Sequence, residues 1–271
     1  LTQKIIKKIL KDCMFIEYFL VIIVYIFFFL CLWIGKKIFI ILIIFKIFDI
    51  LGPPQFLRKA VQGKLKKYIK QNTEFNKIKP KKNAIYLLMP HGATFFPALR
   101  LPLLYDIEDE YPLFFINKWF LLIPGFVGMV KLFSGLITSE RGNLKLAILQ
   151  NARPLIIYPN GAKEVLYNSR KNSRRKIFPI KKKILNYILK SKKPLHIVII
   201  KNESKCFYFN HFLIKFYEII NIFLDIGIPF PLPFFTNKKL KLYMFKSINT
   251  KKIDDFRDLR RIIIRRVGDL K

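Results

Sequence analysis

Five strand-length apolar runs, each followed by a turn or a polar cluster, limit the fold of this chain more than any other feature. The runs lie at residues 84–89, 113–116, 136–138, 155–158 and 195–200. Between the third and fourth runs, residues 143–151 have the polar start and apolar content of a short helix. Strands that alternate with helices predict an α/β domain with a mostly parallel central sheet flanked by helices.

The residues that follow these runs predict where a site would lie. The first run ends at Pro90, which cannot donate to a sheet, and His91 and Gly92 follow it. Polar clusters also follow the third, fourth and fifth runs, at residues 139–142, 159–164 and 201–203. Because parallel strands end at one edge of a sheet, we expect all four clusters along that edge, where α/β proteins gather binding and catalytic groups.

The candidate chemistry is that of a histidine without a protein nucleophile. The sequence has no serine in a nucleophile elbow, no metal-ligand spacing and no Gly-rich phosphate loop. Such a histidine suits direct transfer, in which it takes a proton from a substrate hydroxyl that then attacks an activated acyl carbon. Arg141 is the candidate cation for a phosphate, and backbone N–H groups near Gly92 or Gly161 are candidate oxyanion donors. The alternative is a purely structural His91.

Membrane attachment is the prediction for the first fifty residues. Residues 18–35 are eighteen positions without a charge, and a helix of that length spans roughly 27 Å, close to the hydrocarbon thickness of a bilayer. Lys36 and Lys37 interrupt the apolar run, which resumes over residues 38–45. One spanning helix followed by an interfacial helix, or a short hairpin within one leaflet, fits this pattern equally well. A buried core helix is the alternative.

Gly52, Pro53 and Pro54 mark the end of that segment. The predicted organisation is therefore a membrane anchor over residues 1–52, an amphipathic helix and linker over 53–83, and an α/β domain over 84–271. The amphipathic helix, residues 56–69, is predicted either to lie on the membrane surface or to pack on the domain. Residues 71–83 are predicted to form a linker or exposed loop.

The charge of the chain predicts an anionic partner. Its formal net charge is +33, which suits lipid headgroups, nucleic acid or a phosphorylated substrate. Nucleic acid is the disfavoured partner, because binding it needs basic and aromatic residues interleaved on one surface. The three cysteines, Cys13, Cys31 and Cys206, have neither metal-ligand spacing nor an even-numbered disulfide framework, so no metal is expected.

Three blocks of sequence, in order, resemble the diacylglycerol acyltransferase type 2 family. That family includes monoacylglycerol, wax-ester and phytyl-ester acyltransferases and belongs to the wider glycerolipid acyltransferase group. The blocks are Pro90-His91-Gly92, a glycine six residues before an arginine (Gly135 and Arg141), and PNGAKEVL from Pro159 to Leu166. Weaker matches lie at residues 175–178 and 202–203, so the resemblance covers roughly residues 80–205.

The resemblance implies a membrane-bound O-acyltransferase of triacylglycerol biosynthesis. It would move a fatty acyl group from acyl-CoA to the hydroxyl of a mono- or diacylglycerol, with a lysophospholipid as the alternative acceptor. The implied location is the endoplasmic reticulum or an equivalent intracellular membrane, with the catalytic domain facing the cytosol. His91 would be the general base and Glu164 the carboxylate that orients it. The implied substrate-binding residues are Pro90, Gly92, Gly135, Arg141, Pro159, Asn160 and Gly161. No cofactor is implied beyond acyl-CoA as co-substrate.

The chain departs from the family pattern at several positions. Met89 stands where the family has the first histidine of HPHG, Phe96 where the wider group has an aspartate, and Asn160 where the third block has its second glycine. These departures leave the acceptor, the acyl-chain preference and the oligomeric state open. A catalytically inactive or structural membrane-tethered basic protein, which binds anionic lipid or nucleic acid, is the alternative function.

Overall fold

The computed structural model describes residues 36–89, 96–116, 121, 125–138, 141–150, 152–159, 179–202, 207–209, 231–235 and 239–268. The α-helices are α1 (Lys36–Leu51), α2 (Gln55–Asn72), α3 (Phe96–Leu104), α4 (Phe126–Lys131), α5 (Arg141–Gln150), α6 (Lys182–Ser191) and α7 (Phe256–Gly268). The strands are β1 (Thr73–Phe75), β2 (Ile85–Met89), β3 (Leu113–Ile116), β4 (Gly135–Thr138), β5 (Leu155–Ile157), β6 (Leu195–Lys201), β7 (Phe207–Phe209), β8 (Pro231–Phe235) and β9 (Leu240–Met244). Two short 3-10 helices lie at Glu108–Glu110 and Thr250–Lys252.

A seven-stranded sheet in the order β1-β9-β6-β2-β5-β3-β4 forms the centre of the domain. The five strands from β6 to β4 are mutually parallel, whereas β9 is antiparallel to β6 and pairs in parallel with β1. The prediction of a mostly parallel sheet flanked by helices is thus confirmed. All five predicted strands are present, each within one residue of its expected bounds.

Helices cover both faces of this sheet. One face packs against α2, α3 and α4 through side chains such as Leu65, Leu101 and Val130. The other face packs against α5, α6 and α7 through side chains such as Ile148, Leu185 and Leu259. Every residue of β2 is buried, as expected for a central strand covered on both faces. The buried positions of α7, Leu259, Ile263 and Val267, recur at the helical period and form its apolar face.

The sequence analysis missed β1 and β9, which lie at one end of the seven-stranded sheet, and β7 and β8, which pair in a separate two-stranded sheet. Residues 71–83 were expected to be a linker or exposed loop, but Thr73–Phe75 form β1 and pair with β9. β1 has three residues, one of them charged, and is too short to show the alternation of apolar and polar residues that identifies a strand. β9 alternates buried and half-buried side chains, which is the strand period, so its pattern was available in the sequence.

The amphipathic segment after the anchor packs on the domain. Gln62, Leu65 and Ile69 of α2 are buried, and Lys66 and Lys70 pair with the carboxylate of Asp106, each at 2.7 Å. Of the two predicted positions for this helix, packing on the domain is therefore the one observed.

The anchor segment is described only in its second part. Residues 1–35, which contain the predicted spanning stretch, lie outside the described residues. Residues 36–51 form α1, which packs on α4. Among the described residues no helix combines the length and apolar character needed to cross a bilayer.

Candidate active site

The carboxyl ends of the five parallel strands lie at one edge of the sheet. Met89 at the end of β2 pairs with Ile199 of β6, and Ile116 at the end of β3 pairs with Thr138 at the end of β4. Each of these strands leads directly into one of the segments that the sequence analysis selected, except β3. The strands that lead to these segments therefore end at one edge of the sheet, as the sequence analysis predicted.

Several predicted site residues lie outside the described residues, although the strands that carry them are described. They are Pro90, His91, Gly92, Asn160, Gly161 and Glu164. β2, which leads to His91, lies between β5 and β6. Neighbouring strands are about 4.8 Å apart, so the segments that follow β5 and β6 begin next to the segment that follows β2. Ile157 pairs with Leu87, which brings Pro159, buried two residues later, level with the end of β2.

Arg141 begins α5, three residues after the end of β4. The first turn of α5 is tied to that strand, because the side-chain amide of Asn143 donates a hydrogen bond to Oγ1 of Thr138 at 2.6 Å. β4 lies three strands away from β2, which corresponds to roughly 14 Å at about 4.8 Å per strand. The start of α5 and the end of β2 are thus separated along the sheet by β3 and β5.

Gly135 lies at the amino end of β4, at the opposite end of the strand from Arg141. A Cβ at this position would lie 2.6 Å from Cδ2 of Leu113 on the paired strand. Packing against Leu113 thus favours a glycine here without any ligand being involved. A role for Gly135 in substrate binding stays a prediction, and its packing role is the one that the structure describes.

His196, on β6, is held in a structural network at the amino end of the strands. Its ring stacks on Tyr86 with 5.3 Å between centroids, Nε2 accepts a hydrogen bond from the Lys81 N–H at 3.1 Å, and Nδ1 lies 2.9 Å from the Phe245 carbonyl. A neutral ring with its proton on Nδ1 satisfies both contacts. Burial lowers the pKa of His196 below its usual value, and the charges of Arg266 and Lys81 act in the same direction.

Two buried charged residues near this edge were not selected from the sequence. Arg100 on α3, which follows the His91 segment, is 0% exposed and donates a hydrogen bond to Oγ1 of Thr73 at 3.2 Å. Asp49 on α1 is 3% exposed and accepts hydrogen bonds from the backbone at the start of α4. The available signal was a lone charge of its sign inside a largely apolar helix, since Arg100 is the only charge of α3 and Asp49 the only acidic residue of α1, and such a charge is buried only when it is paired.

Metal ligands do not gather in the described ranges. Within them, no group of three or more His, Cys, Asp or Glu side chains could hold a metal ion.

Among known proteins, the similarity is one of structure. The chain is similar to the crystal structure of the 1-acyl-sn-glycerophosphate (LPA) acyltransferase PlsC from Thermotoga maritima, with a TM-score of 0.53 and 16% sequence identity over 99% of each chain. No protein-family model matches the chain, and no curated protein is similar to it in sequence. At 16% identity this similarity shows a shared fold, and the diacylglycerol acyltransferase type 2 family stays a resemblance of sequence motifs.

Proposed function

We propose that this chain is a membrane-associated O-acyltransferase that moves a fatty acyl group to the hydroxyl of a glycerolipid. The observation that carries the proposal is the shared edge of parallel strands, where the His91, Arg141 and Pro159 segments begin, in a chain similar over 99% of its length to an acyltransferase. A 1-acyl-sn-glycerophosphate is the first candidate acceptor, since that is the substrate class in the neighbour's name. Mono- and diacylglycerol, implied by the sequence motifs, come second.

In the proposed reaction, His91 removes the proton from the acceptor hydroxyl. The oxygen attacks the carbonyl carbon of an acyl thioester such as acyl-CoA, and a tetrahedral intermediate forms. The C–S bond then breaks, the new ester is released, and the thiol leaves with the proton that the histidine carried. Backbone N–H groups of Gly92, Asn160 and Gly161 are the proposed donors to the oxyanion. Pro159 has no N–H, so its proposed part is to end β5 and set the turn.

Arg141 is the proposed contact for a phosphate of the substrate. β4, the strand that leads to Arg141, lies roughly 14 Å from β2, so the proposal gives Arg141 a part separate from that of His91. A lysophosphatidate has its phosphate on the glycerol carbon next to the free hydroxyl, whereas a diacylglycerol has no phosphate. The proposal therefore ranks the phosphorylated acceptor first, and the phosphates of an acyl-CoA donor are the other groups that Arg141 could bind.

Two carboxylates are candidates for the group that orients His91. Glu164 follows β5 and Glu203 follows β6, and both strands flank β2. Glu164 was the choice from the sequence. The strand order adds Glu203 as a second candidate, because that segment begins just as close to the end of β2.

The exposed side of α1 supports attachment to a membrane. Ile43, Ile44, Ile47, Ile50 and Leu51 are 44–79% exposed and form one stripe along the helix. Nζ of Lys46 donates to the carbonyl of Leu121 at 2.8 Å, so α1 lies beside the connection that leaves the carboxyl end of β3. A bilayer that covers this stripe would therefore lie near the candidate site, where a lipid acceptor is needed. An intracellular membrane, with the domain on the cytosolic side, is the proposed location.

The test is an acyl-transfer assay with the full chain in membranes. Labelled acyl-CoA is supplied with lysophosphatidate, another lysophospholipid, monoacylglycerol or diacylglycerol. We expect label in phosphatidate with wild type, loss of about a hundredfold to ten-thousandfold in His91→Ala, and retention in the folded His196→Gln control. Absence of transfer to every acceptor by folded wild-type protein would leave the membrane-tethered basic protein as the better reading. Comparison of Glu164→Gln with Glu203→Gln identifies the orienting carboxylate.

A further inference from the structure

The junction of α1 and α4 is built around one buried carboxylate. Asp49 of α1 is 3% exposed, and its two oxygens accept hydrogen bonds from the Gly125 N–H at 2.9 Å and the Gly128 N–H at 2.6 Å. These donors are at the start of α4, where the backbone N–H groups have no partners within the helix. Asp49 therefore caps α4 from another element, 79 residues away from Gly128 in sequence.

The surrounding contacts fix α1 against α4 on both sides of this carboxylate. A Cβ on Gly128 would lie 2.2 Å from the ring of Phe48, and one on Gly125 would lie 3.0 Å from the ring of Phe45. In the opposite direction, Nζ of Lys131 at the end of α4 donates to the carbonyls of Asp49 and Ile50 at the end of α1. The two helices thus hold each other through both side chains and backbone.

The element that follows α4 in the chain is β4, the strand that leads to the candidate site. α4 continues through a turn into β4, the last strand of the sheet, which pairs only with β3 among the described strands. An edge strand of four residues has ladder bonds on one side, so its position depends on the helix before it. β4 then leads to Arg141. The side-chain amide of Gln62 on α2 supports the same turn by donating to the Leu132 carbonyl at 2.7 Å.

We propose that Asp49 is a positioning residue: by capping α4 it fixes β4 and the start of α5, so that the membrane-facing helix α1 sets the position of Arg141 relative to the central strand β2. The proposal rests on the proposed function, in which Arg141 contacts a substrate phosphate. Loss of the cap would displace the Arg141 end of the site and leave β2 and the His91 segment in place. Phosphate binding would then weaken while proton transfer stays unchanged.

The test uses full-length Asp49→Asn and Asp49→Ala, with the exposed Asp109→Asn as the matched control. Hydrogen exchange of folded protein is measured over residues 125–138 and, for reference, over α6 and α7. We expect exchange over residues 125–138 to be on the order of tenfold faster in Asp49→Ala, with Asp49→Asn intermediate because its amide oxygen still accepts one bond. The reference helices and the Asp109→Asn control should match wild type.

Steady-state kinetics separates positioning from simple destabilisation. We expect Asp49→Ala to raise the KM of the phosphorylated substrate on the order of tenfold, with the pH profile of kcat, which reports the proton-transfer base, unchanged. A structural role alone would lower the folded fraction and kcat without changing KM. Unchanged exchange over residues 125–138, or an unchanged KM with faster exchange, overturns the inference. An inactive wild type overturns the proposed function instead, and the exchange data then still decide whether Asp49 fixes β4.

Discussion

The ring of Phe48 on α1 occupies the space beside Gly128 on α4 that a side chain would need. A Cβ on Gly128 would lie 2.2 Å from Cδ1 of Phe48, a separation that real Cβ atoms do not tolerate. The second part of the predicted anchor segment, residues 36–51, thereby packs on α4, and Asp49, the residue after Phe48, is buried in the same junction.

Gly128→Ala should therefore destabilise the protein. We expect a loss of about 1–3 kcal/mol in the free energy of unfolding, because the ring of Phe48 must move within a packed junction. Gly63→Ala on α2 is the matched control, since nothing lies within 4 Å of its Cβ, and there alanine should stabilise the helix by up to about 1 kcal/mol. Denaturant unfolding in detergent measures both. Equal effects of the two substitutions would refute the tight α1–α4 contact.

Gly135→Ala should act through Leu113 rather than through a ligand. Its Cβ would lie 2.6 Å from Cδ2 of Leu113, so we expect a loss of about 1–3 kcal/mol in the free energy of unfolding. In a Leu113→Ala background, which lacks the clashing Cδ2, Gly135→Ala should cost less stability and less transfer activity than it does in wild type. Gly142→Ala, with nothing within 4 Å of its Cβ, is the control. Activity that stays lost in a stable double variant would instead assign Gly135 to substrate binding.

Stability should depend on pH through His196. Its folded-state pKa lies below the unfolded value of 6.5, chiefly because of burial, so the unfolded chain binds more protons in acid. The contribution of the neutral ring is fully present above pH 6.5 and is lost as the pH falls from there towards the folded-state pKa. Thermal unfolding of wild type and His196→Gln between pH 5 and pH 8 measures this. The variant should lack that part of the decline, and identical pH profiles would contradict the predicted linkage.

The exposed stripe of α1 should contact lipid. A spin label on Ile47→Cys, in a chain with its three native cysteines replaced by serine, should be accessible to oxygen dissolved in vesicles and shielded from a water-soluble nickel complex. The same label on Ile264→Cys, an exposed position of α7 in the opposite helix layer, is the comparison and should show the reverse. Nickel accessibility at Ile47 equal to that at Ile264 would argue against a membrane at this surface.

The sequence by itself determined the class of fold and the edge on which a site would lie. Runs such as 84–89 and 195–200 have the length and apolar content of buried strands, and Pro90 ends the first of them through its missing N–H. These are local properties of a chain segment, and parallel pairing then brings the following residues to one edge. The buried face of α7 was equally readable, because its 3.6-residue period is local.

Only the tertiary structure showed which segments far apart in sequence contact and stabilise each other. Asp49 is separated from Gly125 by 76 residues, so nothing near it in sequence identifies the N–H groups that make its burial favourable. Gly135 matched a family motif, yet its described contact is with Leu113 on the neighbouring strand. β1 is three residues long and exists because β9 offers it a free edge. In each case a contact between residues far apart in sequence stabilises the arrangement, and a local sequence pattern does not encode such a contact.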